Sequence, residues 1–237
     1  MRRILKILLK IIAGLAFLGA IIFGILYAIY NEPLPDGKRG EEADALAQSM
    51  LKAINDTAYK ETRYLEWNFK EGSHRYKWDK QNGIVQVEWD NHRVLLNLNH
   101  PEKSSIFEAN IEVTENSRAD LIEKAIQHFN NDSFWLVAPF KVFDPGTERS
   151  TVPLEDGSKG LLITYTSGGT TPGDSYLWEL GPNGFPKSFR LWVEIIPVGG
   201  LEATWDDWQV MESGVFLPTS HELGPMSFRM EEVKAYN

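Results

Sequence analysis

The chain has 237 residues, 24 basic against 33 acidic, a formal charge of −9 and no cysteine. That length allows one large domain whose core needs no metal or disulfide staple. The absence of cysteine excludes disulfides, cysteine-ligated zinc or iron–sulfur centres, a thiol nucleophile and a lipid attached through cysteine, while the acidic balance argues against an extended nucleic-acid surface.

In chain order, residues 1–10 are a basic tail with Arg2, Arg3, Lys6 and Lys10, followed by an uncharged apolar run from Ile11 to Tyr30. Residues 1–30 therefore carry +4, and the remainder, with 20 bases and 33 acids, carries −13. At 1.5 Å per residue, a helix over 11–30 is about 30 Å long, the thickness of a bilayer's hydrocarbon core. Tyr27 and Tyr30 close it with the aromatics that favour a membrane interface. A secretory signal has a shorter apolar region, roughly 7–15 residues, and a small-residue cleavage site, so an uncleaved anchor is the expectation. The basic tail places the N-terminus in the cytoplasm, which makes the chain a single-pass inner-membrane protein with a periplasmic domain. A buried core helix is the competing reading, though such helices are rarely apolar all round for five turns. Ala16, Ala20, Gly24 and Ala28 fall on one helix face. Small residues at that spacing suit close packing of two membrane helices in a homodimer, or simply reflect membrane-helix composition.

Residues 31–41, rich in Pro, Gly and charge, predict an exposed linker, and residues 42–237 an exported domain. Ala43, Leu46, Ala47, Met50 and Ile54 predict a helix over 42–58. The pattern then changes to period two over 63–70, 73–80, 84–90 and 92–99, with Glu71-Gly72, Gln81-Asn82-Gly83 and Asp90-Asn91 as turns. Four such runs predict an antiparallel meander, with one or two short strands over 104–113. A second helix is expected over 118–130, started by Ser117, followed by strands around 161–165, 176–180, 189–195, 203–211, 215–220 and 227–235. The sum is one α+β domain, a single large curved antiparallel sheet forming an incomplete barrel around about two helices.

Chemical motifs are sparse. Ser167–Asp174 is Gly-rich, but it lacks the Lys of a phosphate loop and precedes a strand, so it reads as a hairpin loop. Five histidines (His74, His92, His100, His128, His221) lack zinc-ligand spacing, and no cofactor is expected. Asp132, Asp144 and Asp174 are candidate carboxylates for a hydrolytic or carbohydrate-active site beside Trp135 and Trp178. Asp206-Asp207 reads as a turn or exposed edge. Residues 131–149 carry either a pocket mouth with Arg149 as anion partner, or Asx-turns at Asn131/Asp132 and a turn at Asp144–Thr147. The eight tryptophans are the strongest chemical signal. Trp67, Phe69, Trp78, Trp89 and Leu96 alternate onto one sheet face, where they either fill a core or wall a cavity for an acyl chain.

Several stretches, among them Trp67-Asn-Phe, Tyr76-Lys-Trp-Asp, Asp132-Ser-Phe-Trp-Leu, Phe143-Asp-Pro-Gly-Thr, Thr170-Thr-Pro-Gly-Asp-Ser-Tyr-Leu-Trp178 and Gly199-Gly-Leu-Glu-Ala-Thr-Trp205, resemble a family of uncharacterised bacterial envelope proteins. The likeness covers roughly residues 42–222. At the level of topology the chain is also similar to lipoprotein-carrier proteins of the LolA/LolB type. That resemblance implies a curved sheet wrapped round helices, with an apolar cavity for lipid chains; the membrane helix departs from the soluble carriers. The expected function is a membrane-anchored, non-catalytic binding module for an acyl chain, lipid or lipoprotein. The alternatives are a hydrolytic envelope enzyme and a structural subunit of an envelope complex.

Overall fold

The computed structural model describes residues 2–113, 117–167 and 172–237. Helix α1 (Arg2–Tyr30) carries the basic tail and the apolar run together. From Lys6 to Tyr30 it is long and apolar enough to cross a membrane, and its most apolar window buries nothing against the rest of the chain. Ala16, Ala20, Gly24 and Ala28 are all exposed on it.

The helix expected over 42–58 is two helices, α2 (Glu41–Ala53) and α3 (Asp56–Glu61). Asn55 breaks it by adopting a left-handed conformation, φ 59°, which Asn tolerates better than most residues. Its side chain accepts from the Ala58 amide and donates to the Gly214 carbonyl, 2.8 Å away, so the break also ties the helices to a distant turn. The apolar stripe survives the break: Ala43, Ala47, Met50, Ile54 and Ala58 are buried.

The meander follows as β1 (Tyr64–Phe69), β2 (His74–Asp79), β3 (Ile84–Trp89) and β4 (His92–Asn97), then β5 (Ser105–Glu108) and β6 (Ile111–Glu112). Helix α4 (Arg118–Val137) comes next, and seven residues longer than the sequence pattern suggests. Asn131 and Asp132 lie inside it rather than in Asx-turns, because the Asp132 carboxylate is engaged by β2 and the buried face continues through Ser133, Leu136 and Val137. Ser117 precedes it but makes no side-chain capping bond.

The second half comprises β7 (Thr147–Pro153), β8 (Lys159–Tyr165), β9 (Ser175–Leu180), β10 (Pro186–Trp192), β11 (Leu201–Thr204), β12 (Gln209–Val210), β13 (Phe216–Leu217), β14 (Ser220–Leu223), β15 (Met226–Arg229) and β16 (Glu231–Tyr236). The polar strand β7 had no hydrophobic alternation to mark it. The Asp144–Thr147 turn preceding it is closed by Thr147 N–H donating to the Asp144 carbonyl at 3.1 Å. Residues 168–171 of the Gly-rich segment lie outside the described residues, but its flanks β8 and β9 pair antiparallel, as a hairpin requires. Asp206 and Asp207 are exposed, with Asp207 at φ 49° between β11 and β12.

The fold is α+β with large antiparallel sheets that do not close into a barrel. The strands form two seven-stranded sheets rather than one, in the orders β16-β1-β2-β3-β4-β5-β6 and β15-β14-β11-β10-β9-β8-β7, with β12–β13 a separate hairpin. Only Met230 separates β15 from β16, so the last strand carries the chain from the second sheet to the first. Helix α4 lies between their inner faces. Its Phe129 packs on Trp67 and Trp78 of the first sheet, while Phe134 meets Tyr176, and Trp135 meets Phe189 and Phe228, of the second. One continuous apolar core results.

Residues 31–38 form a strap on the second sheet. Lys38 and Thr151 exchange both backbone hydrogen bonds at 2.9 Å. Nearer α1, the Glu32 amide donates to the Gly199 carbonyl (3.0 Å), the Gly199 amide to Asn31 Oδ1 (2.9 Å), and Trp192 Nε1 to the Glu32 carbonyl (2.8 Å). Glu32 also pairs with Arg190 at 3.1 Å. The strap flanks a small outer cluster of Val152, Leu162 and Leu177, backed by Leu154 and Trp192.

Candidate functional site at the α4 interface

Alternation along a pleated strand sends every second side chain to one face, and the register aligns those side chains in rows. One row runs Leu65, Trp78, Val85, Leu96; the next Trp67, Tyr76, Val87, Val94, Ile106; the third Phe69, His74, Trp89, His92. The five predicted wall residues Trp67, Phe69, Trp78, Trp89 and Leu96 therefore share one face, the face that meets α4. Trp67, Phe69, Trp89 and Leu96 are buried and Trp78 is half-buried, all within the common core. The space in front of them holds side chains of α4, among them Ile122, Ala125 and Phe129.

The third row is where the wall turns polar. His74 Nδ1 and the Tyr76 hydroxyl both donate to Asp132 Oδ2 at 2.6 Å, and Asn131 Nδ2 donates to Asp132 Oδ1 at 2.8 Å. Asp132 is only 1% exposed, so this is a buried latch between α4 and β2. Burial, reinforced by the adjoining Asp132, holds the Tyr76 phenol well above its ordinary value and keeps it a donor. His128, one turn before Asp132 on α4, sets its ring 4.3 Å from that of His74, tilted to it, and 5.3 Å from Trp89, edge-on. Burial and the neighbouring His74 lower its pKa, which favours the neutral imidazole. Lys124 sits 5.5 Å over the Trp89 ring from the same helix.

The interface also holds buried polar nitrogens with no hydrogen bond. The indole N–H groups of Trp67, Trp78 and Trp89, together with His128 Nε2 and His92 Nδ1, are buried and lack a hydrogen-bond partner among the described residues. A buried polar group left without its hydrogen bond costs about 1–3 kcal/mol, and native structures keep such groups few. Five around one helix–sheet contact is a concentration.

No protein-family model matches the chain. A search of curated proteins finds no match either.

The three candidate carboxylates fall in different settings. Asp132 is the latch just described. Asp174 is buried, accepts from the Glu194 amide at 3.0 Å, and lies near the Tyr176 hydroxyl. Asp144 is half-exposed in its turn, paired with Lys141 at 2.9 Å. Trp178 packs on Phe189 and Trp205 and Trp135 on Phe228, which makes both part of the aromatic core. Arg149 is a structural tie: it pairs with Asp44 at 2.6 Å, donates to the Val142 carbonyl at 2.9 Å and lies 4.2 Å over the Phe143 ring. Among the described residues, no three His, Asp or Glu side chains are grouped to hold a metal ion.

Two surface depressions lie elsewhere. One, of about 220 Å³, is on the outer face of the first sheet among Glu66, Asn68, Arg75, Lys77, Gln86 and Glu88. Its floor is an ion-paired lattice in which Glu66 takes Lys77 at 2.9 Å and the Tyr236 hydroxyl at 2.5 Å. The other, of about 150 Å³, lies between the strap and the second sheet. Sequence reasoning reached Asp132 and His74 separately, but joined neither to the other. Their separation of 58 residues, and the expectation that the helix ended before Asp132, hid the pairing.

Proposed function

We propose that the chain is a membrane-anchored, non-catalytic periplasmic binding module, and that its ligand is an acyl chain seated between α4 and the β1–β4 wall. The observation carrying this reading is the set of buried, unpartnered indole and imidazole nitrogens along that interface. A fatty acyl ester or carboxylate supplies both the apolar length for Trp67, Trp78 and Leu96 and the acceptors that the indoles lack. Seating it requires α4 to move off the wall, and the Asp132 latch at the polar end is the contact that would hold or release it. An acyl-carrying lipid or lipoprotein at the membrane surface is the natural source for a domain tethered there.

The test uses the full chain in its own membranes. A diazirine-bearing fatty acid, incorporated into cellular lipid and photolysed, is expected to label peptides from residues 64–97 and 118–137 as well as the apolar helix. Labelling confined to residues 2–30 refutes the binding module while agreeing with the anchor.

A further inference from the structure

The strap joins the membrane helix to the domain through a built contact, and this decides which part of the domain lies nearest the bilayer. Helix α1 ends at Tyr30, and the next two residues are joined to Gly199 by two hydrogen bonds, one from the Glu32 amide and one to the Asn31 side chain. Those bonds depend on two glycines. A Cβ on Gly199 would stand 2.5 Å from Trp192 Cδ1 and 2.8 Å from the Glu32 carbonyl oxygen. Gly200 adopts φ +83°, and a Cβ there would stand 2.7 Å from Glu32 Cβ. All three separations are shorter than real Cβ contacts show, so the backbone of 199–200 is shaped to receive Glu32. With the Arg190–Glu32 ion pair and the Trp192–Glu32 bond added, the joint is held by side chains on β10 as well as by the loop.

The loop so held is 193–200, which connects β10 to β11, and beside the exposed Glu194 it turns apolar side chains outward. Ile195 is 72% exposed, among the most exposed large hydrophobic side chains outside α1, and Pro197 is exposed beside it. The alternation that makes Phe189 and Leu191 core residues predicted Val193 and Ile195 to follow inward. Instead the chain leaves the sheet after Trp192, and Ile196 N–H donates to the Val193 carbonyl in a turn that turns Ile195 out. A lone exposed isoleucine needs no explanation. One whose loop is bonded to the first residues beyond a membrane-length helix has a neighbour at hand.

We propose that the loop 193–200 is a second membrane contact, resting among the lipid headgroups beside the exit of α1 with Ile195 inserted toward the acyl chains. The partner is the lipid surface itself. The contact and the joint together hold the domain in one orientation on the bilayer. This proposal rests on α1 spanning the membrane, and its test separates the two.

The chain has no cysteine, so single-cysteine labelling needs no background substitutions. An environment-sensitive fluorophore is placed by Ile195→Cys, by Leu15→Cys in the middle of α1, and by Ile111→Cys. Ile111 is 74% exposed, on β6 at the edge of the sheet that the strap does not touch. Each full-length variant is reconstituted in phosphatidylethanolamine–phosphatidylglycerol nanodiscs carrying nitroxides at the headgroup or at mid-chain. The expected result is mid-chain quenching at 15, headgroup quenching with a blue-shifted emission at 195, and neither at 111. Quenching at 15 with position 195 behaving like 111 overturns the contact and leaves the membrane span standing. No quenching at 15 overturns the span and, with it, the proposal.

Discussion

Gly37→Ala tests whether the strap is a fixed part of the domain. Gly37 does not lie in the left-handed region, so alanine meets no backbone objection there. Its effect on the unfolded chain alone would stabilise the protein by about 0.4–1 kcal/mol. Space opposes this. The new Cβ would stand 2.5 Å from Ser150 Cβ, 3.2 Å from Ser150 Oγ and 3.3 Å from Leu162 Cδ2, and Ser150 sits on β7 with its own backbone paired to β8. The partner is rooted in a sheet, so the strap must be what retreats. Retreat stretches the two 2.9 Å bonds between Lys38 and Thr151, each worth about 1 kcal/mol net, and uncovers part of the outer apolar cluster. Overpacking of this kind costs about 1–3 kcal/mol. The net expectation is a destabilisation of about 1–2 kcal/mol, concentrated in the strap. Amide hydrogen exchange reads it locally: protection of the Lys38 and Thr151 amides falls in the variant, while that of β2 and β3 is unchanged. Unaltered protection at Lys38 and Thr151, or a higher melting temperature, refutes the reasoning.

Three further outcomes follow from the buried polar groups. Asp132→Ala strands the Tyr76 hydroxyl and His74 Nδ1 in the core and is expected to cost about 3 kcal/mol, against about 1 kcal/mol for Tyr76→Phe; equal losses in chemical denaturation would contradict the latch. His221, fully buried and donating from Nδ1 to the Thr204 carbonyl at 2.9 Å, is pushed down from its ordinary 6.5 to about 4, chiefly by burial. Its folded pKa lies below the unfolded one, so stability is fully present above pH 6.5 and is lost as the pH falls toward 4, by about 3 kcal/mol in all; His221→Gln should flatten that part of the stability–pH curve, and an unchanged slope counts against it. Lys80, half-buried with its ammonium 3.6 Å over the Tyr59 ring, is lowered to about 8 by burial. Methyl-labelled lysine NMR should find one midpoint near that value which disappears in Lys80→Arg, and a midpoint above 10 for every lysine excludes the burial argument.

The parts of this fold legible in the sequence are those in which one local rule acts alone. The meander runs 63–70, 73–80, 84–90 and 92–99 match β1–β4 to within two residues at each end, because a sheet with one wet face imposes strict alternation and short polar turns separate its strands. The face shared by Trp67, Trp78 and Trp89 followed from the same rule. Where two rules compete, the reading failed. Asn55 lies within a helical pattern yet breaks it, because a left-handed Asn capping Ala58 and reaching Gly214 outweighs continuing the helix. Asn131 and Asp132 have the composition of a turn but stand in a helix, since Asp132 is satisfied by residues 56 and 58 positions away. The strap was legible only as composition. Pro, Gly and charge suit a free linker equally well, and what docks it is the close fit of Gly37, Gly199 and Gly200 against surfaces far away in sequence.

The same contrast bears on where binding energy can come from. Helix α4 is held on the second sheet by ring-to-ring packing of Phe134 and Trp135, where two of the rings that Trp135 meets, Trp205 and His221, also carry a buried unpartnered nitrogen. On the first sheet it is held by one polar latch and by apolar contacts threaded with unpartnered nitrogens at Trp67, Trp78, Trp89, His92 and His128. Each unmade hydrogen bond withholds about 1–3 kcal/mol from its side of the helix, and five such nitrogens lie on the first-sheet side against the two of Trp205 and His221 on the other, so the first interface is the weaker. A ligand that supplies acceptors gains this withheld energy on entering, and the side of α4 it would open is the side already weakened. The asymmetry predicts the order of events on partial unfolding: amides of β1–β4 lose protection against exchange before those of β8–β10. The reverse order would place the weak interface on the other sheet and remove the physical basis for an acyl site against the first.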